Sequence, residues 1–296
     1  LGPFLKTLKK KHKARLYLIL RDIFPQNAKD LGMIRDPITF SYFRIRERNL
    51  YKICDIIGCM SPGNILYLKK QDPDIFSRKK VMYFPNWIQP TPAEFYLKED
   101  RSFHKQYGLE DKFVVLFGGN FGKPQRIEFI LALADRVKFL EDVCFCFVGD
   151  GTEKNKLKSL AEKMKLHNVL IFDRLPRDDY QALIHDADIG LVNLSEKFTI
   201  PNIPSRTFGY WDASLPVLAA TDVNTDLNDA FLKKYNGGLW VQTGKIDDYM
   251  KQFMQLYSDQ EKRKILGQNG RQAVIRNFSV QKAAERLLDQ IALVPS

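Results

Sequence analysis

Cysteine and histidine are scarce, with four of each in 296 residues. Cys54, Cys59, Cys144 and Cys146 fall at none of the spacings that hold zinc, and His12, His104, His167 and His185 are scattered along the chain. A bound metal is therefore not expected. Cys144 and Cys146 alternate within the apolar run Val143 to Val148, so they are expected on one face of a strand, as reduced core thiols of a cytoplasmic protein. Long apolar runs are also missing: none approaches the ~20 residues of a membrane-spanning helix. The first residues do not follow the basic, apolar, cleavable order of a signal peptide. The chain opens on Leu1 rather than Met, and Leu16 to Leu20 already reads as an interior strand, so an N-terminal part is expected to be missing.

What is present suits a large α/β core. Apolar residues make up 45% of the chain, and its length suggests about two domains. Charge is uneven. Residues 1–95 carry 18 Lys and Arg against 8 Asp and Glu, whereas residues 96–296 carry 28 against 27, so the first third holds nearly all of the net +11. Its densest part, Lys6 to Arg15, has no acid, and Leu1, Phe4, Leu5 and Leu8 recur at helical spacing beside it. That pattern fits a solvated helix face packed on the domain, or a helix lying on an anionic membrane surface. No nucleic-acid motif accompanies it, and nucleic acid is not an expected partner.

Strands and helices alternate along the whole chain, the pattern of parallel sheets with covering helices. Strands are expected at Leu16 to Leu20, Asp55 to Met60 and Val81 to Phe84, with helices over Tyr42 to Ile53 and Pro62 to Lys70. Pro85, Pro90 and Pro92 then break the pattern, which places a first domain over residues 1–95. Six more strands, Phe113 to Phe117, Val143 to Val148, Val169 to Phe172, Ile189 to Asn193, Val217 to Ala220 and Gly238 to Val241, make a doubly wound domain over 96–278. Helices are expected over Ile246 to Tyr257 and Asp259 to Asn277, and a last one, Val280 to Ala292, lies in a C-terminal segment 279–296.

Ligands of doubly wound sheets bind beyond the carboxyl ends of the strands, and three such ends are unusual. After Val115-Leu116-Phe117 comes Gly118-Gly119-Asn120-Phe121-Gly122-Lys123, glycines that let backbone amides approach a phosphate and a lysine that can neutralise it. The glycine spacing is one short of a Walker loop and Pro124 follows the lysine, so the same residues also read as a tight turn. Gly149-Asp150-Gly151 follows the second strand and reads as a turn into a helix. The third is Ile203 to Ala220, IPSRTFGYWDASLPVLAA, where Pro204 and Ser205 mark a helix start with Ser205 as its cap, before a buried strand. Three glycine- or serine-bearing strand ends with Lys123 and Arg206 as cations point to a shared diphosphate site.

The order GGNFGKPQ, FVGDG, LIFDRLPRDDY and IPSRTFGYWDASLPVLAA resembles the nucleotide-binding half of glycosyltransferase family 4. LYLILRDIFP, YKICDIIGCMS and YFPNWI resemble the end of that family's acceptor domain, particularly in its bacterial fucosamine-transferase-like, capsule and O-antigen branch. The resemblance covers essentially the whole chain. It implies a GT-B architecture of two facing Rossmann-like domains, the first truncated, with the terminal helix packing back toward the junction. If the first domain is incomplete, Ala284, Leu287, Leu288 and Ile291 of that helix are expected to be exposed. The implied activity is retaining transfer of a sugar from a nucleotide-diphosphate donor, UDP-linked by expectation, to a lipid-linked glycan on the inner face of the bacterial cytoplasmic membrane.

Carried over by position, the resemblance assigns Gly119, Asn120, Gly122 and Lys123 to the donor diphosphate. Gly149 falls close to the donor, Arg174 beside the nucleobase, and Ser205 and Arg206 at the helix start under the diphosphate. Arg21 and Asp22 face the acceptor and the reacting sugar, Asp22 reading equally as a helix cap before Phe24-Pro25. Lys123 and Arg206 would offset charge on the leaving diphosphate without a metal, since no Asp-x-Asp pair stands near these strand ends and the DPD at 72–74 lies in the other domain. The chain departs from the family where two glutamates usually stand. Aligning Leu215-Pro216-Val217 with the family's turn puts Pro201 and Gly209 at those positions, and Ser214 where a glycine is common. Glu196 is the nearest candidate to reach the site from a loop. The alternatives left open are a noncatalytic nucleotide-sugar-binding relative or partner subunit, and an unrelated sugar-nucleotide enzyme such as an epimerase.

Overall fold

The computed structural model describes residues 2–92 and 102–293, with the side chains of 102 and 103 excepted. The apolar run Tyr17–Leu20 (β1) pairs in parallel with Ile56–Cys59 (β2), which pairs in parallel with Lys80–Tyr83 (β3). β2 is buried at all four positions, as the middle strand of a sheet covered on both faces must be. α1 (Gly2–His12) precedes β1. α2 (Gln26–Asp30) and α3 (Pro37–Ile53) lead from β1 to β2, and α4 (Pro62–Gln71) and α5 (Pro73–Phe76) from β2 to β3. α3 starts at Pro37 rather than at the expected Tyr42. The Asp36 carboxylate accepts the Thr39 amide at 2.7 Å and Pro37 supplies the first helical φ, so the helix nucleates a turn early.

The second unit follows α6 (Ser102–Tyr107). Its six parallel strands are β4 (Phe113–Asn120), β5 (Val143–Asp150), β6 (Val169–Phe172), β7 (Ile189–Asn193), β8 (Val217–Thr221) and β9 (Gly238–Gln242). They lie in the order β6-β5-β4-β7-β8-β9, which reverses between β4 and β7. Helices α7 (Ile127–Arg136), α8 (Lys154–Lys163), α9 (Arg177–Asp186), α10 (Arg206–Asp212), α11 (Ile246–Ser258) and α12 (Gln260–Ala273) cover both faces. Alternation along β4 sends Val115 and Phe117 into one core and Val114 and Leu116 into the other. Cys144 and Cys146 share the second core as free thiols, their sulfurs 3.9 Å apart. The helix expected to run to Asn277 stops at Ala273, and residues Val274–Phe278 wind into a wider π turn.

α13 (Val280–Ala292) then returns to the first sheet. Gln290 donates to the Tyr83 carbonyl at 2.9 Å and accepts from the Tyr17 hydroxyl, and Arg15 donates to the Ile291 carbonyl at 3.0 Å. Of the apolar residues expected exposed on this helix, Ala284 and Leu288 are, while Leu287 and Ile291 are half-buried. The expected break at residues 95 and 96 lies outside the described residues, as does Leu1. On the near side of that break, Ile88 bridges the start of α13: its amide donates to Phe278 at 2.9 Å and its carbonyl accepts from Val280 at 3.0 Å.

The segment 194–205, between β7 and α10, joins the units. Leu194, Phe198 and Ile200 are buried in the core of the first unit, beside Tyr51, Ile57 and Phe76. Polar bonds fix the same segment. Asn64 donates to Pro201 O at 2.8 Å, Asn86 to Ile203 O at 3.1 Å, and the Thr199 amide donates to Asp30 at 2.8 Å. α1 packs on the first unit with Leu5 and Leu8 half-buried, and Lys9 bonds Ile53 O at 3.1 Å and the Asp55 carboxylate at 2.5 Å. Among the described residues, no helix is long and apolar enough to cross a membrane.

Candidate active site

A cleft of about 870 Å³ opens between the units, where the order of the larger sheet reverses. Its walls come from strand ends: Arg21 and Asp22 follow β1, Asn86 and Trp87 follow β3, Pro124 and Gln125 follow β4, and Ser205 and Arg206 open α10. That is the place where a doubly wound sheet leaves room for a ligand, because the crossovers on either side of the reversal run to opposite faces.

Arg206 is the cation best placed to act there. Its guanidinium lies over the Phe117 ring at 4.3 Å, and its Nη2 is 3.3 Å from where a Cβ on Gly119 would stand. Burial lowers its pKa, against the opposing pull of the Tyr210 and Tyr180 hydroxyls beside it. Its Nη1 is enclosed and has no hydrogen-bond partner, and the same holds for the adjacent Thr207 hydroxyl. A guanidinium removed from water without a counterion is costly, so this arrangement favours an anion arriving from the cleft. Tyr210 is held rigidly, its hydroxyl accepting from the Gly118 amide at 2.9 Å, and burial raises its pKa. Burial also pushes Tyr180 well above the ordinary range, so both phenols are neutral walls of the arginine site.

The strand runs further into the glycines than expected, since it does not end at Phe117. β4 continues through Gly118, Gly119 and Asn120, which pair with Val148, Gly149 and Asp150. A Cβ on Gly149 would fall 1.8 Å from the Gly119 carbonyl oxygen, and Gly149 has φ +148°, so the close strand approach requires glycine there. Gly119, at φ +126°, leaves the space that Arg206 occupies. The Gly122 amide is already bonded to the Gln125 side chain at 3.2 Å, so it is not one of the amides open to a phosphate. Asn120 is exposed at the end of β4. Lys123 is exposed at the head of the single 3-10 turn Lys123–Gln125, and it stands outside the residues lining the cleft.

Other candidates divide between the cleft and its surroundings. Ser205 lines the cleft but does not cap α10, because its backbone (φ −62°, ψ −25°) is already helical and lacks the extended geometry of a capping residue. Arg21 lies 4.2 Å over the Trp87 ring with its Nη1 enclosed and without a hydrogen-bond partner, and burial lowers its pKa against the pull of Asp22. Asp22 is exposed on the same wall; no side chain caps α2, whose preceding residue is Pro25. Glu196 pairs with Arg126 at 3.2 Å, tying the loop after β7 to the loop after β4. Arg174 is exposed beyond the outer strand β6 and does not line the cleft.

The position where the family's second glutamate is expected, Gly209, is half-buried, and a Cβ there would meet nothing within 4 Å. Pro201 is buried and its carbonyl receives Asn64. Sequence reasoning missed Tyr180, Tyr210, Arg126 and Trp87. Tyr180, Tyr210 and Trp87 lie in the motifs LIFDRLPRDDY, IPSRTFGYWDASLPVLAA and YFPNWI but carry no site role there, and Arg126 lies one residue beyond GGNFGKPQ. Among the described residues, no group of three or more His, Cys, Asp or Glu side chains is gathered to hold a metal.

The family model of glycosyl transferases group 1 matches residues 99–273. The chain belongs to that family. Among curated relatives, this group 1 chain is similar to the probable glycosyltransferase WbjE of Pseudomonas aeruginosa, 26% identical over 217 residues. The match covers 71% of the chain and 52% of WbjE, so the chain spans about half the length of that relative. It is 31% identical over 116 residues to WcaI of Escherichia coli, a putative colanic acid biosynthesis glycosyl transferase, covering 38% of the chain and 28% of WcaI. In fold, the group 1 chain is similar to Anabaena HepE solved with UDP and glucose: TM-score 0.74, 16% identity, 99% of the chain and 75% of HepE covered. WaaG, a glycosyltransferase involved in lipopolysaccharide biosynthesis, gives TM-score 0.74 at 17% identity, with 99% and 82% covered. The architecture is accordingly the GT-B one, two parallel-sheet units facing across a cleft.

Proposed function

We propose that the full-length protein transfers a sugar, with retention of configuration, from a nucleoside-diphosphate donor to a lipid-linked glycan in bacterial surface polysaccharide assembly. The observation that carries the reading is Arg206, whose Nη1 is enclosed and unpartnered at the reversal point of the larger sheet. Transfer from a nucleotide sugar leaves negative charge on the departing diphosphate, and a fixed guanidinium in a site of low dielectric stabilises that charge without reorganising. Lys123 is exposed on the neighbouring turn, outside the cleft lining, and its long side chain would have to reach in to join Arg206 in neutralising the leaving group without a metal. Arg21 and Asp22 stand on the opposite wall, where the acceptor and the reacting sugar would lie. HepE, solved with UDP, and WcaI, named for colanic acid biosynthesis, support a uridine donor and a polysaccharide product.

The test is a screen of UDP, GDP and their sugars against full-length protein, followed by thermal melting and product analysis. UDP at a hundred times its Kd should stabilise the protein by about 2.7 kcal/mol, and Lys123→Ala should slow turnover more than it weakens binding. If no nucleotide raises the melting temperature, the reading fails. A second reading, a noncatalytic binder of nucleotide sugars, is favoured by the missing carboxylates at Pro201 and Gly209. Binding without turnover by the full-length protein would select it. Since a Cβ at 209 meets nothing within 4 Å, Gly209→Glu tests the point directly: if ribose contact is what is lacking, it should tighten UDP-sugar binding without lowering the melting temperature.

A further inference from the structure

α10 keeps all but two of its residues in the core. Thr207, Phe208, Tyr210, Trp211 and Asp212 are buried, while Arg206 and Gly209 are half-buried. Ser205, just ahead of the helix, is exposed and lines the cleft, and Gly209 follows it at i+4 and Arg206 at i+3, so the three share one face. A Cβ on Gly209 would meet nothing within 4 Å. One turn past the guanidinium that would take the diphosphate, this face therefore offers bare backbone and open space. The ribose of a bound nucleotide hangs from its α-phosphate by one oxygen and one carbon, a reach comparable to one helical turn of about 5.4 Å. It would come to lie beside Gly209.

The group that reads a ribose hydroxyl in a doubly wound site is a carboxylate. Among the described residues, no acid belongs to the lining that the larger unit gives the cleft. The carboxylates around it are engaged elsewhere. Glu196 and Glu128 both pair with Arg126, at 3.2 and 3.4 Å, and neither lines the cleft. Asp212 is buried at the far end of α10, where it accepts from Thr91 and Arg271, and Asp222 is buried and accepts from Thr225. Asp22 stands on the opposite wall. The neutral polar groups of the lining are partly used as well: the Gln125 side chain accepts the Gly122 amide at 3.2 Å, and the Asn202 amide donates to Ile200 O at 3.1 Å. We infer that the donor site does not read the 2′-hydroxyl, so that the protein takes 2′-deoxyribonucleoside diphosphate sugars, thymidine diphosphate sugars among them, as readily as their ribose counterparts. A hydroxyl that meets no acceptor in the site keeps its bond to water, and deleting it costs little. Only a site built around the hydroxyl rejects the analogue that lacks it, because the site's own polar group is then left unpaired. The inference rests on the transfer reading, whose donor site it refines.

The test is calorimetric titration of full-length wild-type protein with two matched pairs, UDP against 2′-deoxy-UDP and GDP against 2′-deoxy-GDP. Each pair differs by the one hydroxyl, so the base drops out of the comparison. For whichever pair binds, the two dissociation constants should agree within about twofold. Gly209→Glu, which returns a carboxylate to this face, should open a gap of roughly tenfold in favour of the ribonucleotide, while Gly209→Ala, which adds bulk alone, should leave the pair equal. The inference is overturned if the wild type already prefers the ribonucleotide by about tenfold or more, since the site then holds an acceptor for the hydroxyl. It is equally overturned if Gly209→Glu melts like the wild type and still binds both members of the pair alike, which would place the ribose away from α10. The wild-type pairs decide the matter by themselves if that variant does not fold. A strong ribonucleotide preference would leave the transfer reading standing, whereas binding of neither pair would sink that reading and the inference with it.

Discussion

The six-stranded unit closes a core over each face of its sheet with its own helices, whereas the three-stranded unit completes its single core with Leu194, Phe198 and Ile200 from the other. The smaller unit also leaves eight large apolar side chains exposed within its first 66 residues, as many as the described remainder of the chain. The two units therefore stand on different footings. The larger has what a doubly wound domain needs to fold from local sequence. The smaller depends on the segment 194–205, which is also the segment that runs into the cleft at Ser205 and Arg206.

This comparison can be broken most directly at Phe198. Phe198→Ala removes a buried ring from the smaller unit's core, although the residue belongs in sequence to the larger unit. It should destabilise the smaller unit by about 3–4 kcal/mol. In calorimetry an early transition should separate from the main one; a uniform shift of a single transition would mean the units do not differ as described. Gly149→Ala should act on the other side, forcing β4 and β5 apart at the Gly119 carbonyl and costing about 3 kcal/mol in urea unfolding. The main transition should move and the smaller unit's should follow it.

A finer contrast lies between the two enclosed arginines. Arg206→Gln should weaken UDP binding by roughly 30-fold, about 2 kcal/mol, the size of a charge-assisted bond to phosphate. Arg21→Gln should leave UDP binding within about twofold, since Arg21 stands on the wall opposite Arg206 and sites that share no partner couple by only ~0.3–0.5 kcal/mol, and should reduce transfer by the full-length protein. Equal effects of both on calorimetric UDP binding would erase the distinction between donor and acceptor walls.

The smallest effect concerns the Lys9 and Asp55 pair that fastens α1 to the smaller unit. Burial alone would raise the pKa of Asp55, but the Lys9 ammonium and the Leu16 amide outweigh it and hold the carboxyl below its ordinary value. A carboxylate with a depressed pKa stabilises the fold above its unfolded pKa, and the stabilisation is lost as pH falls through the folded one. Asp55→Asn should therefore cost ~0.5–1 kcal/mol at neutral pH, a gap that closes in urea titrations carried out below the ordinary carboxylate range.

The apolar runs made most strands legible, and β6 and β7 have the bounds that their sequences predict. The glycines at 118, 119 and 149 hid where the strands end: they read as loop and turn residues, yet they extend the strands, because a missing Cβ serves close strand packing as well as ligand approach. Arg206 was legible from its motif, but the tyrosines that enclose it were not. Tyr180 and Tyr210 come from helices 30 residues apart in sequence, and only the sheet order brings both to the end of β4. Glu196 read as a loop carboxylate because Arg126, its partner, lies 70 residues earlier.

The bridge between Ile88 and the start of α13 has a mechanical consequence. Ile88 follows the end of the smaller sheet, and α13 is where the chain comes back to it, so the outgoing and returning strands of backbone are bonded to each other at one place. Two covalent connections laid side by side behave as a hinge pin, stiff against sliding and soft to rotation. The bonds that Asn64 and Asn86 donate to segment 194–205, and the one that Asp30 accepts from it, tie the two units together a second time, so any rotation about that pin would have to break them.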